Sequence, residues 1–232
     1  MPSHSATIDA GDGRQFNAYV SEPARPNGHA VIVLQEIFGV TAAVRGIADR
    51  FAEDGYLAYA PDLFWRARPG IELSHSKEDI GKAFELLKTY RDADGLADIA
   101  ATARHLRMRA GFEGKVVAAG MCLGGKLAYL AATSGDGAGV DAAVGYYGVG
   151  IEKSLADEGA VERPLQLHFG DNDPYVSAEA RGQIAAALGD DPRVEIHTYP
   201  GASHGFYTRG NPEDIALARA RTNAFLQRVL AR

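Results

Sequence analysis

Short apolar runs alternate along this chain with longer stretches whose apolar positions recur every three or four residues. The run "HAVIVLQ" (29–35) carries no polar alternation, the pattern of a strand covered on both faces. In "TAAVRGIADRFAEDG", Val44, Ile47, Ala48 and Phe51 share one helical face, with Thr41 placed to cap the start and Gly55 the end. "YLAYAP" reads as a second covered strand. Helical spacing returns over 77–90 and 95–109. "KVVAAG" is then a strand, "LGGKLAYLAAT" a helix, and "DAAVGYYG", "PLQLHFG" and "VEIHTYP" further strands. Residues 177–188 and 211–232 complete the helices. This regular alternation predicts an α/β fold, a mostly parallel sheet with helices on both faces. Two β-like pieces before it, "SATID" and "QFNAYVSE", are expected to form an antiparallel edge. Residues 1–232 are expected to form one domain.

Composition narrows the function classes. Of 232 residues, 46% are apolar and 23% charged, as in an ordinary globular chain. A net charge of −6 gives no electrostatic footprint for nucleic acid or an anionic membrane. No apolar run nears the roughly 20 residues that span a bilayer. The segment "MPSHSATIDAGDGRQF" lacks the apolar core of a secretory signal. One cysteine excludes an intrachain disulfide, and a reducing cytoplasm is the expected compartment. A monomer or small homo-oligomer is expected.

That single cysteine stands where a strand passes into a helix, in Gly120-Met121-Cys122-Leu123-Gly124. The spacing is that of a nucleophile elbow, G-x-S-x-G, with sulfur replacing the hydroxyl. A tight turn there needs small neighbours. It would push the side chain out at the top of the sheet and aim helix N–H groups at the same point, where they can hold an oxyanion and lower a thiol pKa. The plainer reading of Cys122 is a buried small apolar residue, the common fate of a free cysteine.

The order of possible partners weighs against that plainer reading. "PLQLHFGDNDPYV" ends a strand in a loop with Asp171 and Asp173; "VEIHTYPGASHGFYT" ends another in a loop with His204. Nucleophile, acid, histidine is the chain order of α/β-hydrolases. Asp173, just before Pro174, is the expected partner of His204, and Asp171 the expected turn cap. His168 and His197 lie inside strands and read as structural. Glu36 follows the strand of "VIVLQEIFGV", at the rim where ligands of parallel sheets collect. A carboxylate there would oppose thiolate formation. The N–H groups of Ile37 and Leu123 are the expected oxyanion donors.

Taken together, "QEIFGV", "PDLF", "GMCLGGKLA", "AVGYYGVG", "FGDNDPYV" and "ASHGFYTR" resemble the dienelactone hydrolase family over nearly the whole chain. The resemblance implies an α/β-hydrolase fold and a triad of Cys122, Asp173 and His204, with no metal or organic cofactor. It implies that Glu36 takes the thiol proton when substrate binds. It also implies opening of the enol-lactone 4-carboxymethylenebut-2-en-4-olide, or cleavage of a related ester. Two departures stand out. Ile80 occupies a position where the family carries a carboxylate-binding arginine, and the nearby Lys82 faces elsewhere at helical spacing. Arg209 lies one position later than the family's second arginine, with Thr208 in its place. Phe84, Leu87 and Trp65 are expected to line the substrate site beside Arg209. Arg66 and Arg68 are alternative carboxylate partners, while Tyr146 and Tyr147 are expected to pack.

Three competing readings share these residues. "GMCLGGK" fits most of a phosphate loop, with Lys126 as its cation, but Leu127 stands where Ser or Thr should hold magnesium. Cys122 could serve as a redox-sensing thiol in a non-catalytic protein. An esterase or thioesterase with the same triad and a less anionic substrate differs only in its pocket.

Overall fold

The computed structural model describes residues 2–155 and 160–231. Their strands form one eight-stranded sheet in the order β1-β2-β4-β3-β5-β6-β7-β8. The strands are β1 (Ser3–Asp9), β2 (Gln15–Ser21), β3 (Ala30–Leu34), β4 (Leu57–Pro61), β5 (Val116–Met121), β6 (Ala142–Tyr146), β7 (Leu165–Gly170) and β8 (Val194–Tyr199). Only β2 runs against its neighbours; β4 through β8 are parallel. The two leading β-like pieces are therefore an antiparallel edge, as their alternation suggested.

The helices are α1 (Ala42–Glu53), α2 (Lys77–Thr89), α3 (Asp92–Arg107), α4 (Leu123–Thr133), α5 (Ala178–Leu188), α6 (Phe206–Arg209) and α7 (Pro212–Leu230). Thr41, Ser76, Ser177 and Asn211 each accept an N–H of the first turn that they precede, which fixes where α1, α2, α5 and α7 begin. The four-residue α6 was not foreseen, because so short a piece carries no periodicity.

Successive residues of the covered strands feed opposite cores. Ala30, Ile32 and Leu34 of β3 join the core under α3, α4 and α5; Val31 and Val33 join the one under α1 and α7. This is why "HAVIVLQ" is apolar at every position. The parallel registers Leu34↔Gly120, Met121↔Tyr146 and Gly170↔Tyr199 bring the strand ends level. Residues just beyond β3, β5, β6, β7 and β8 therefore collect on one rim.

Candidate active site

The rim is built around a strained turn. Cys122 has φ 55° and ψ −111°, a conformation that costs an ordinary residue of order 1–3 kcal/mol. Its N–H donates to Tyr146 O at 3.0 Å, and Gly124 N–H donates to Gln35 O at 3.0 Å, so β5 and α4 are pinned to both neighbouring strands. A Cβ on Gly120 would lie 2.0 Å from Gly124 O, and one on Gly124 would lie 2.3 Å from Leu34 O. The glycines are thus required by backbone approach on each side of the cysteine.

Cys122 is 8% exposed and lines a cavity of about 480 Å³. Glu36, Ile37, Leu123, His204 and Arg209 share its wall. Neither the Ile37 nor the Leu123 N–H donates to a carbonyl among the described residues. Both residues line the cavity; the Leu123 N–H lies against the sulfur, and donors on this wall suit a developing oxyanion.

His204 sits in the loop between β8 and α6. Its Nδ1 is 2.9 Å from Asp173 Oδ2. The other oxygen of Asp173 accepts the N–H groups of Tyr175 (2.8 Å) and Val176 (3.2 Å), which fixes the carboxylate. Asp171 does not cap its own turn, whose N–H groups go to Asp173; it accepts Gly201 N–H at 2.6 Å and ties the two loops together. Tyr147 and Tyr175 meet the imidazole ring edge-on at 4.9 and 4.8 Å.

Glu36 is almost wholly buried. Tyr147 Oη donates to it at 3.2 Å, and Arg209 Nη1 lies 3.4 Å from Oε2. Burial pushes the Cys122 thiol up to about 12, Glu36 adds to the rise, and the Leu123 N–H opposes it. The helix N-terminus does act in the expected direction, but burial and the carboxylate outweigh it. The resting sulfur is therefore a thiol. At neutral pH it should hold on the order of 10³-fold less thiolate than a free cysteine. Iodoacetamide labelling of Cys122 should accordingly be slow at pH 7.5 and climb about tenfold per pH unit to pH 9.5. Glu36→Gln should speed it at every pH. Labelling as fast as free cysteine, with a plateau near pH 8, would contradict a thiol held in this state. The folded chain keeps a proton that the unfolded chain releases near 9.0, so this group's stabilising contribution is full below that pH and lost as pH rises towards 12.

Other expected residues divide. Phe84, Leu87 and Ile80 line this cavity with Arg209. Trp65 does not: it lines a separate cavity of about 610 Å³ against β1 and β2. Its Nε1 donates to the buried Asp98 at 3.1 Å, and its ring stacks on Phe16. Trp65 follows a strand end, but Phe16 of β2 and Asp98 of α3 hold its side chain away from the Cys122 cavity. Arg66 is held by Asp98 at 2.6 Å, and Arg68 is absent from the cavity wall. Lys82 pairs with Glu78 and Asp79 outside the cavity, as its helical position indicated. Lys126 lines the cavity but is paired with Asp92, an ion pair that no local motif announces. Tyr146 packs as expected, stacked on Tyr207 and His168. Tyr147 does more than pack, since its hydroxyl joins Glu36 to Thr208 of α6, the helix that follows the His204 loop. Its φ of 40° makes it, with Cys122, one of two non-glycine residues at positive φ among the described residues, and nothing in the sequence marks it. Among the described residues no cluster of His, Cys, Asp or Glu could hold a metal ion, and no helix is long and apolar enough to cross a membrane.

One reversed strand, a parallel remainder and a cysteine elbow on the carboxyl rim define an α/β-hydrolase. Comparison with known proteins agrees. The family model described as "Dienelactone hydrolase family" matches residues 16–231. The carboxymethylenebutenolidase of Pseudomonas sp. (strain P51) is 38% identical over 234 residues, covering 99% of this chain and 97% of that one. The Pseudomonas putida carboxymethylenebutenolidase is 36% identical over 224 residues, covering 96% and 94%. A solved Klebsiella pneumoniae structure, described as a candidate dienelactone hydrolase, superposes with TM-score 0.81 at 26% identity, covering 98% and 99%. The chain belongs to the dienelactone hydrolase family. It is a hydrolase of the class that acts on esters or lactones.

Proposed function

We propose that the chain opens a lactone or cleaves an ester through an acyl-thioester on Cys122, with Asp173 and His204 completing a triad. The observation that carries this reading is the convergence of one strained thiol, one carboxylate-anchored histidine and the residues Ile37 and Leu123 on a single cavity. The relatives named carboxymethylenebutenolidase support an enol-lactone as the substrate type.

The family resemblance implies the role of Glu36, and the cavity it shares with Cys122, Ile37, Leu123 and His204 supports the sequence of steps. As the substrate carbonyl arrives, Glu36 takes the thiol proton and sulfur attacks carbon. The oxyanion that forms is held by the Ile37 and Leu123 N–H groups. Collapse breaks the ester C–O bond, and the leaving oxygen takes the proton back from Glu36. Asp173 keeps the His204 proton on Nδ1, which leaves Nε2 free to accept one from water. The hydroxide so formed attacks the thioester. Its C–S bond breaks, and the thiolate is reprotonated by the imidazolium. No cofactor enters any step. Burial and Glu36 keep the sulfur inert until a carbonyl is present, which spares the thiol from stray oxidation.

Assays of dienelactone loss in the ultraviolet and of p-nitrophenyl ester cleavage test the activity directly. His204→Ala tests the intermediate. Acylation should persist while deacylation slows by about 10³-fold. Rapid mixing with a p-nitrophenyl ester should then leave the acyl mass on the Cys122 peptide. A variant that turns over normally, or that acylates elsewhere, would rule out this route.

A further inference from the structure

We propose that Lys126 is a specificity-determining residue, whose ammonium donates to an oxygen on the substrate limb that leads away from the reacting carbonyl. The inference rests on the thioester reading above and concerns what the same cavity recognises. Lys126 stands four residues after the nucleophile. Its N–H donates to Cys122 O at 3.1 Å, so one helical turn fixes it relative to the sulfur. Four residues of helix rise about 6 Å. Helical side chains lean towards the helix N-terminus, and the N-terminus of α4 is the elbow itself. The Lys126 side chain accordingly joins the cavity wall that Cys122 and Leu123 also line.

The surroundings hold the stem and leave the head available. A Cβ on Gly148 would fall 2.9 Å from Lys126 N, and one on Gly150 would fall 3.9 Å from Lys126 Cδ. The loop after β6 thus passes close over Lys126, and Val149, between those glycines, also lines the cavity. The lysine side chain keeps 20% of its surface exposed. One ammonium N–H goes to Asp92, the first residue of α3. The other two donors have no partner among the described residues. Asp92 lines the cavity too, and its carboxylate sits at a helix N-terminus, where the helix dipole favours it. It therefore steadies the ammonium without using all its donors. A ligand that fills the cavity displaces the water around these donors. It must offer them an oxygen or leave them unpaired.

The test compares three p-nitrophenyl esters that share a six-carbon acyl chain, long enough to bridge one helical turn. The hexanoate, the 6-hydroxyhexanoate and the hydrogen adipate end in a methyl, a hydroxyl and a carboxylate. Lys126→Met removes the ammonium and keeps a long stem. It should lower kcat/KM for the adipate about tenfold or more beyond its effect on the hexanoate, through KM rather than kcat. The hydroxyhexanoate should fall several-fold beyond the hexanoate, as the loss of one charge-assisted bond requires. Lys126→Arg should restore most of the discrimination. Asp92→Asn should raise the adipate several-fold relative to the hexanoate by removing a like charge, and it decides the matter if Lys126→Met does not fold. A loss for the adipate alone would assign the site to a carboxylate; a loss for both would assign it to any acceptor oxygen. Equal factors on all three esters from each soluble variant, with Cys122 still required, would reveal a mere tie between α3 and α4. That result would overturn the proposal and leave the thioester route standing. Hydrolysis that survives Cys122→Ala would overturn that route, and this inference with it.

Discussion

Cys122→Ala should abolish ester and lactone hydrolysis, lowering kcat by about 10⁴-fold or more, while leaving the fold in place. The physical case is that the side chain does nothing structural that alanine cannot do. Its sulfur takes the Leu123 N–H, a donor that water in the cavity can satisfy once the sulfur is gone, and the side chain is small. The unusual backbone at position 122 is enforced by main-chain bonds that alanine keeps, its own N–H to Tyr146 O and the Gly124 N–H to Gln35 O. Circular dichroism and thermal unfolding should therefore stay near wild type as activity disappears. A buried apolar cysteine would give the opposite pattern, with hydrolysis intact. Cys122→Ser should also be very weak. An alkoxide is harder to form than a thiolate, and this pocket already disfavours the negative sulfur.

Gly124→Ala should cost stability on the scale of about 3 kcal/mol or more, the upper range for forcing added atoms into a packed interior. The methyl would fall 2.3 Å from Leu34 O, 2.7 Å from its carbonyl carbon and 2.7 Å from its side chain. None of these can swing away, because Leu34 ends the central strand β3. The elbow would have to separate from β3, breaking the Gly124 N–H to Gln35 O bond and displacing the Leu123 N–H. Urea unfolding should show a large drop in midpoint, and any soluble fraction should have lost kcat more than KM. Gly182→Ala is the natural control, since a Cβ there meets nothing within 4 Å. Equal stability of the two variants would mean that the elbow is looser than its geometry indicates.

Several features of the site were legible in the chain before any coordinates. Glycines at 120 and 124 flanking a cysteine, between an apolar run and a helix, already describe a turn that only small residues can make. The loops holding Asp173 and His204 follow recognisable strands, so their rim was predictable once the sheet was taken as parallel. Trp65 was misplaced and Tyr147 only partly read, for complementary reasons. Trp65 follows a strand end, but which way the chain leaves that end depends on Phe16 and Asp98, residues distant in sequence. Tyr147 looks like one more core aromatic, and its hydroxyl finds Glu36 only through a fold that joins β3 to β6 across β5.

What the sequence by itself determined is the order of strands and helices, the elbow and the chemical cast of the rim. These follow from periodicity, glycine placement and residue type, all of which are local. Only the tertiary structure decided how the charges pair. Arg209 with Glu36, and Lys126 with Asp92, are separated by 173 and 34 residues. Electrostatic energy depends on distance in space and on burial, and neither is written in the neighbourhood of a residue along the chain.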